Sequence, residues 1–281
     1  MKTVGFIDYF LNEWHADNLP EWLDTVSKGR YRLAYAWGEI DCPRDGGLSN
    51  ASWAAKHGAV LCSTQEEVID KSDVLCVLAP DNVETHERLS RLALESGKPV
   101  YVDKTFAPDL SAAKRIFSWA DGHKTPCMTT SALRYAEEYE GLRAGDISGA
   151  VFSGGGRTDI YLIHLIEPMV MLLGPDAQRV MMAGTADQPV FIVEYPDVRA
   201  TLSMFHAGYP FETGVNFKDG TARHLSIRSD IFHRFAQELV RFFDTGRVTV
   251  PREQTLAAMA VREACLRAMD ADGWVDVPKV G

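Results

Sequence analysis

Val74-Leu75-Cys76-Val77-Leu78-Ala79 is an unbroken apolar run set between Asp73 and Pro80. A strand with one wet face alternates, so a run this short and continuous reads as a strand covered on both faces. Working outward, similar runs occur at Thr3-Val4-Gly5-Phe6-Ile7, at 31–37, at 60–62 and at Val100-Tyr101-Val102. Between them lie segments of helical periodicity at 19–26, 49–57, 85–96 and 110–120, with a further helix closing at 68–71. Gly97 suits the end of the helix over 85–96, because a glycine accepts the left-handed backbone of a C-terminal stop. Strands alternating with helices imply a doubly wound parallel sheet, and such α/β sheets bind ligands beyond the carboxyl ends of their strands.

The pattern changes near Cys127. A helix is expected over 135–143, and a strand ends in Gly154-Gly155-Gly156. Segments 190–194, 200–205, 213–217 and 224–227 read as antiparallel hairpin strands, with turn signals at Tyr195-Pro196-Asp197 and Lys218-Asp219-Gly220. Amphipathic helices over 232–243 and 252–269 complete an α+β domain with a mainly antiparallel open sheet. The expected division is 1–127 and 128–281. A flat open sheet face invites association, so a homo-oligomer formed through the second domain is expected.

Composition narrows the function. The 281 residues carry a net charge of -10, 46% hydrophobic and 24% charged residues. An acidic chain without a basic cluster argues against nucleic acid as a partner. No apolar stretch reaches membrane-spanning length, and the N-terminus enters a strand pattern at once without the pattern of a secretory leader. The five cysteines are scattered and never spaced Cys-x-x-Cys, which fits reduced thiols in a cytoplasmic protein. No metal site is expected.

Three segments could carry chemistry. The first follows strand one: Asp8-Tyr9-Phe10-Leu11-Asn12-Glu13-Trp14-His15. A dinucleotide-binding turn places glycines here so that backbone can approach a pyrophosphate. Aromatic rings at Tyr9 and Phe10 and acids at Asp8 and Glu13 argue against such an approach, and Glu13, Trp14 and His15 are alternatively substrate contacts. The second segment is Val102-Asp103-Lys104-Thr105, where Lys104 leaves a buried strand at its carboxyl end and can exchange a proton with a substrate hydroxyl. A surface lysine paired with Asp103 is the structural alternative. The third runs from Gly154 to Pro168. At about 100° per residue, Tyr161, His164 and Glu167 share one stripe of an apolar helix. Pro168 lacks the N–H that would bond the carbonyl of His164, so a kink is expected beside that histidine. A satisfied core histidine is the alternative there.

Together these residues resemble the glucose–fructose oxidoreductase / inositol dehydrogenase (Gfo/Idh/MocA) family over essentially the whole chain. Ala79-Pro80-Asp81-Asn82 with His86 is similar to the family's Thr-Pro-Asn…His segment. Gly97-Lys98-Pro99 through Asp103-Lys104-Thr105-Phe106-Ala107 is similar to its Gly-Lys-His…Glu-Lys-Pro-Leu-Ala motif. Arg134-Tyr135 resembles the pair that opens its second domain, and Gly154 to Gly174 its Gly-Gly-Gly…His…Leu-Leu-Gly helix. The resemblance implies a Rossmann-type domain and hydride transfer between NAD or NADP and a sugar, polyol or related hydroxy compound. It makes Lys104 and His164 the catalytic groups, with Tyr161 added because the family's aspartate position holds Ile160. Asp8, Tyr9, Phe10, Leu11, Trp37, Ala79, Pro80, Asn82 and His86 fall on the cofactor side, and Glu13, Trp14, His15, Arg134 and Asp159 on the substrate side. The missing glycines keep a second reading open: a non-redox metabolite-binding protein, lyase or isomerase on the same fold.

Overall fold

A computed structural model describes residues 1–281. The chain forms two compact units. The first comprises Met1–Ala107, Ser111–Thr129 and Phe232–Val250, and the second Pro108–Leu110, Thr130–Ile231 and Pro251–Gly281.

In the first unit, strands β1 (Lys2–Asp8), β2 (Tyr31–Gly38), β3 (Val60–Leu61), β4 (Val74–Val77), β5 (Val100–Val102) and β6 (Cys127–Met128) alternate with helices. These are α1 (Trp14–Ser27), α2 (Asn50–His57), α3 (Gln65–Lys71), α4 (His86–Leu94) and α5 (Leu110–Gly122). All strand pairs are parallel, in the order β3-β2-β1-β4-β5-β6. The chain winds one way from β1 and the other way from β4, so the switch point lies between them. Every residue of β4 and β5 is buried, as an unbroken apolar run requires.

Gly5 shows how tightly helix meets sheet. A Cβ there would stand 2.3 Å from Ser72 Oγ and 2.6 Å from Val68 Cγ1. Gly5→Ala is therefore expected to cost about 1–3 kcal/mol through overpacking, read as a lower melting temperature.

The second unit holds β7 (Ile147–Gly155), α6 (Thr158–Tyr161), α7 (Ile163–Leu173), β8 (Arg179–Gly184), β9 (Pro189–Glu194), β10 (Arg199–Phe205), β11 (Glu212–Phe217) and β12 (Ala222–Ser226). Helix α8 (Ile231–Thr245) follows, then α9 (Arg252–Ala268) and β13 (Trp274–Asp276). Its sheet runs β12-β11-β7-β10-β9-β8-β13. Pairing is antiparallel except between β7 and β10, whose parallel register joins Arg199 to Gly149 and Phe205 to Gly155. No helix is long and apolar enough to cross a membrane.

The helical periodicity over 19–26 is part of α1, which begins at Trp14, where Glu13 caps it. Several expectations change. The helix expected over 135–143 is instead a pair of short 3-10 turns, Ala132–Tyr135 and Glu137–Tyr139, separated and ended by extended backbone at Ala136 and Glu140. The helical interruption near His164 falls at Leu162, between α6 and α7, while Pro168 lies inside α7. Residues 232–250 belong to the first unit, where a division at 127/128 places them in the second. The apolar stripe of α8 finds its partners there: Phe235 lies 5.4 Å from Tyr101 and Phe243 5.6 Å from Tyr31, ring to ring. Asp244 accepts from Arg30 Nη1 and from Tyr31 Oη, both at 2.9 Å. Periodicity reveals that such a stripe is buried, not against what.

Candidate functional site

In the first unit, the expected site residues gather where β1 and β5 end. The turn after β1 folds inward: Asp8, Phe10, Leu11 and Glu13 are buried, while Tyr9 and Asn12 are partly exposed. Glu13 is the N-cap of α1, and its carboxylate accepts from His15 N at 2.6 Å and from Ala16 N. The other donors of the turn are also engaged. Tyr9 N bonds Asp8 Oδ1 at 2.7 Å, Leu11 N bonds Asn50 Oδ1 at 3.0 Å, and Glu13 N bonds Leu11 O at 2.9 Å. The rings predicted to obstruct a ligand have a different role: Phe10 packs into the core with the Arg44 guanidinium 5.3 Å over it.

Asp103 ends β5 fully buried. Its Oδ1 accepts from Tyr101 Oη and from Lys104 N, each at 2.8 Å, and its Oδ2 lies 2.5 Å from His15 Nδ1. Burial works to raise this carboxyl, but His15, Lys104 and His86 overcome it and hold it well below the usual carboxylate range. Asp8 and Glu13 behave oppositely. Burial pushes both well up, and the charge of Asp103 adds to the effect. Asp8 Oδ2 is buried with no donor, which adds to the cost of ionising this carboxyl. The fixed Asp103 carboxylate at the end of β5 thus acts on two buried carboxyls in the β1–α1 turn whose ionisation is disfavoured.

Lys104 is buried, and its Nζ donates to Pro80 O at 3.2 Å rather than pairing with Asp103 through its ammonium. Pro80 follows Ala79, a non-glycine residue held in the left-handed region at φ 70. That conformation is secured through the Ala79 carbonyl, which lies 2.9 Å from His86 Nε2 and accepts from Asn82 N at 3.0 Å. His86 is completely buried, and burial lowers its pKa. It braces the β4 exit rather than facing a ligand. Trp37 is partly exposed on β2, and the acid that follows, Glu39, is taken by Arg88 at 2.5 Å.

In the second unit, His164 lies in the first turn of α7 with Ser131 Oγ 2.7 Å from its Nδ1. Ser131 Oγ also accepts from Leu133 N at 3.2 Å, which fixes the hydroxyl oxygen beside the ring. Sequence reasoning missed Ser131; its signal was a capping residue type just before a helical turn. Ser131→Ala is expected to free the imidazole from this contact, seen as a change in the His164 ring-nitrogen shifts by NMR. Tyr161 lies 5.5 Å from His164, ring to ring, and is 40% exposed. Glu167 does not share that exposure: it is buried against Arg134 at 3.1 Å, and Arg134 also reaches Gln254. Arg134 is thus committed to α7 and α9.

The three glycines are required by close approach. A Cβ on Gly154 would meet the Phe211 ring at 2.4 Å, on Gly155 the His206 carbonyl at 2.3 Å, and on Gly156 the Tyr161 ring at 2.4 Å. Ile160 is buried, whereas Asp159 is exposed and paired with Arg157 at 2.6 Å, beside an open cleft of about 470 Å³ that Gly156 and His206 also line.

No family model matches the chain, and no curated protein matches it by sequence. Solved structures do. The myo-inositol 2-dehydrogenase from Lactobacillus plantarum superposes with a TM-score of 0.80 at 16% identity, over 99% of each chain. GenD2 from gentamicin A biosynthesis, in complex with NAD, gives 0.78 at 15% identity, over 99% of this chain and 97% of that one. A putative myo-inositol dehydrogenase from Sinorhizobium meliloti 1021 gives 0.75 at 14% identity, over 99% and 100%. The chain has the Gfo/Idh/MocA fold.

Within this fold, the turn after β1 is where a pyrophosphate ordinarily meets free backbone amides at a helix N-terminus. Here the Glu13 carboxylate occupies that position and takes two of the amides. The residues of this turn do not fit a pyrophosphate.

Proposed function

We propose that the chain is an oxidoreductase that passes hydride between a nicotinamide cofactor and a sugar, polyol or related hydroxy compound. The observation that carries this reading is the likeness over the whole chain to a myo-inositol 2-dehydrogenase and to GenD2, which is in complex with NAD. On this reading the hydride chemistry is the cofactor's, and this chain's residues bind, orient and move protons. Lys104 is a buried cation able to polarise a substrate oxygen. His164, held against Ser131, is placed to exchange a proton with a substrate oxygen, and Tyr161 stands beside it. Ala79, Pro80, Asn82 and Trp37 are the proposed cofactor-side positions, and any dinucleotide has to lie with its pyrophosphate away from the β1–α1 turn. A homo-oligomer joined through the sheet of the second unit belongs to the same proposal.

The Glu13 cap favours a second reading, in which the fold has given up the dinucleotide and acts on a metabolite without redox change. Thermal melting with NAD, NADP and their reduced forms separates the two. Ligand at about 100 times its Kd stabilises by about 2.7 kcal/mol, which is several degrees of melting temperature. A rise with either cofactor supports the oxidoreductase. No rise with any of the four at millimolar concentration overturns it in favour of the second reading.

A further inference from the structure

We propose that His15 and Asp103 form an acid–base centre at the mouth of the β1–α1 turn, serving a neutral polyhydroxylated ligand that rests on Trp14. The role is distinct from those proposed for Lys104 and His164 and does not depend on a nicotinamide cofactor.

Geometry fixes the chemistry of the pair. Asp103 cannot turn, because Tyr101 Oη and Lys104 N hold its Oδ1 while Oδ2 meets His15 Nδ1 at 2.5 Å. An ionised carboxylate only accepts, so Nδ1 carries the hydrogen and the neutral ring keeps its lone pair on Nε2. That nitrogen has no partner in the protein, and the side chain is 22% exposed while Asp103 is 1% exposed. A buried carboxylate that fixes the orientation and tautomer of a partly exposed imidazole is the arrangement by which a histidine becomes a usable base. A ligand hydroxyl would give its proton to Nε2, the O–H electron pair staying on oxygen. Asp103 would hold the resulting imidazolium until the proton returned.

The surroundings select the ligand. Asp103 is charged, the Asp8–Glu13 pair lies close enough to feel it, and Glu13 has already taken the amides an anion would need. Phosphates and carboxylates are repelled, leaving neutral molecules. Trp14 is 51% exposed yet not loose: its ring lies 5.4 Å from His15, 5.3 Å from Trp22 and 5.0 Å from Phe232, with Trp22 and Phe232 stacked at 4.7 Å. A rigid indole face offers an apolar floor for the C–H side of a cyclic polyol, whose hydroxyls can then reach the neighbouring imidazole.

The test uses the full chain and His15→Asn, whose amide nitrogen can still donate to Asp103 but which has no Nε2. Ring-nitrogen NMR is expected to show neutral His15 protonated on Nδ1, with that preference lost in Asp103→Asn. Diethyl pyrocarbonate, which acylates unprotonated imidazole nitrogen, is expected to modify His15. A panel of inositols, hexoses and alditols at millimolar concentration should contain members that suppress this modification and change Trp14 fluorescence. In His15→Asn the fluorescence response should be lost while the melting temperature is kept. An Nε2–H tautomer, a His15 that the reagent does not reach, protection by no member of the panel, or an undiminished response in His15→Asn would each overturn the proposal. Failure of nicotinamide binding would leave all four readouts untouched.

Discussion

Replacing His164 with alanine is expected to lower turnover of the sugar or polyol substrate by about 10²–10⁴-fold, the range that one positioned acid–base group supplies. The loss should fall on kcat and kcat/KM together, since a proton given to an oxygen as its charge develops is an interaction of the transition state. The substitution should be structurally mild. His164 is partly exposed, and the neighbouring core of α7 is carried by Leu165, Ile166, Met169 and Val170. Lys104→Met should give a loss of similar size for a different reason. The side chain keeps its length, but the ammonium that donates to Pro80 O and can polarise a substrate oxygen disappears. Steady-state kinetics on both variants, with melting curves to show that they fold, provide the measurement. A His164→Ala enzyme with wild-type turnover would remove that histidine from the mechanism.

How much of this could be read beforehand depends on where the information resides. The parallel sheet was legible because β4 and β5 are buried on both faces, which leaves a one-dimensional mark: apolar residues without interruption. The pairing of β7 with β10 leaves no such mark, since alternation says which face of a strand is buried and nothing about its neighbour. The start of α1 was hidden by chemistry. Glutamate is not a favoured N-cap, and Pro20 lies inside the helix, so neither residue advertises a start at Trp14.

The site divides in the same way. Lys104 and His164 could be named because motif spacing carries them. Asp103 was read only as a partner for Lys104, because its bond to His15 spans 88 positions and appears only when the exits of β1 and β5 are brought together. The aromatic and acidic residues after β1 were correctly seen as hostile to a phosphate, but for an incomplete reason. Phe10 and Glu13 do not stand in the way of a ligand as surface obstacles. They turn inward, and Glu13 spends the amides of α1 on its own carboxylate.

That internal carboxylate also sets how stability responds to pH. Asp8 and Glu13 have folded-state values raised well above their ordinary ones, by burial first and by neighbouring carboxylate charge next. The folded chain therefore keeps a proton that the unfolded chain releases. Their contribution is fully present below the unfolded carboxyl values near 4 and is lost as pH rises through the raised folded values. For one retained proton the slope approaches about 1.4 kcal/mol per pH unit, or roughly 3–5 °C of melting temperature per unit for a chain near this size. Glu13→Gln removes the Glu13 titration and keeps an oxygen for one of the two α1 amides; the amide left without an acceptor costs a constant amount that does not vary with pH. The variant should gain on the wild type steadily as pH rises from 5 to 8, and the pH-dependent part of the difference should vanish toward pH 4. His86 acts in the opposite direction, since its lowered pKa makes stability fall as pH drops below its unfolded value, but it is common to both proteins and cancels in the difference. Melting curves across that range decide the matter. A difference that stays constant with pH would mean that Glu13 keeps no proton in the folded chain that the unfolded chain releases.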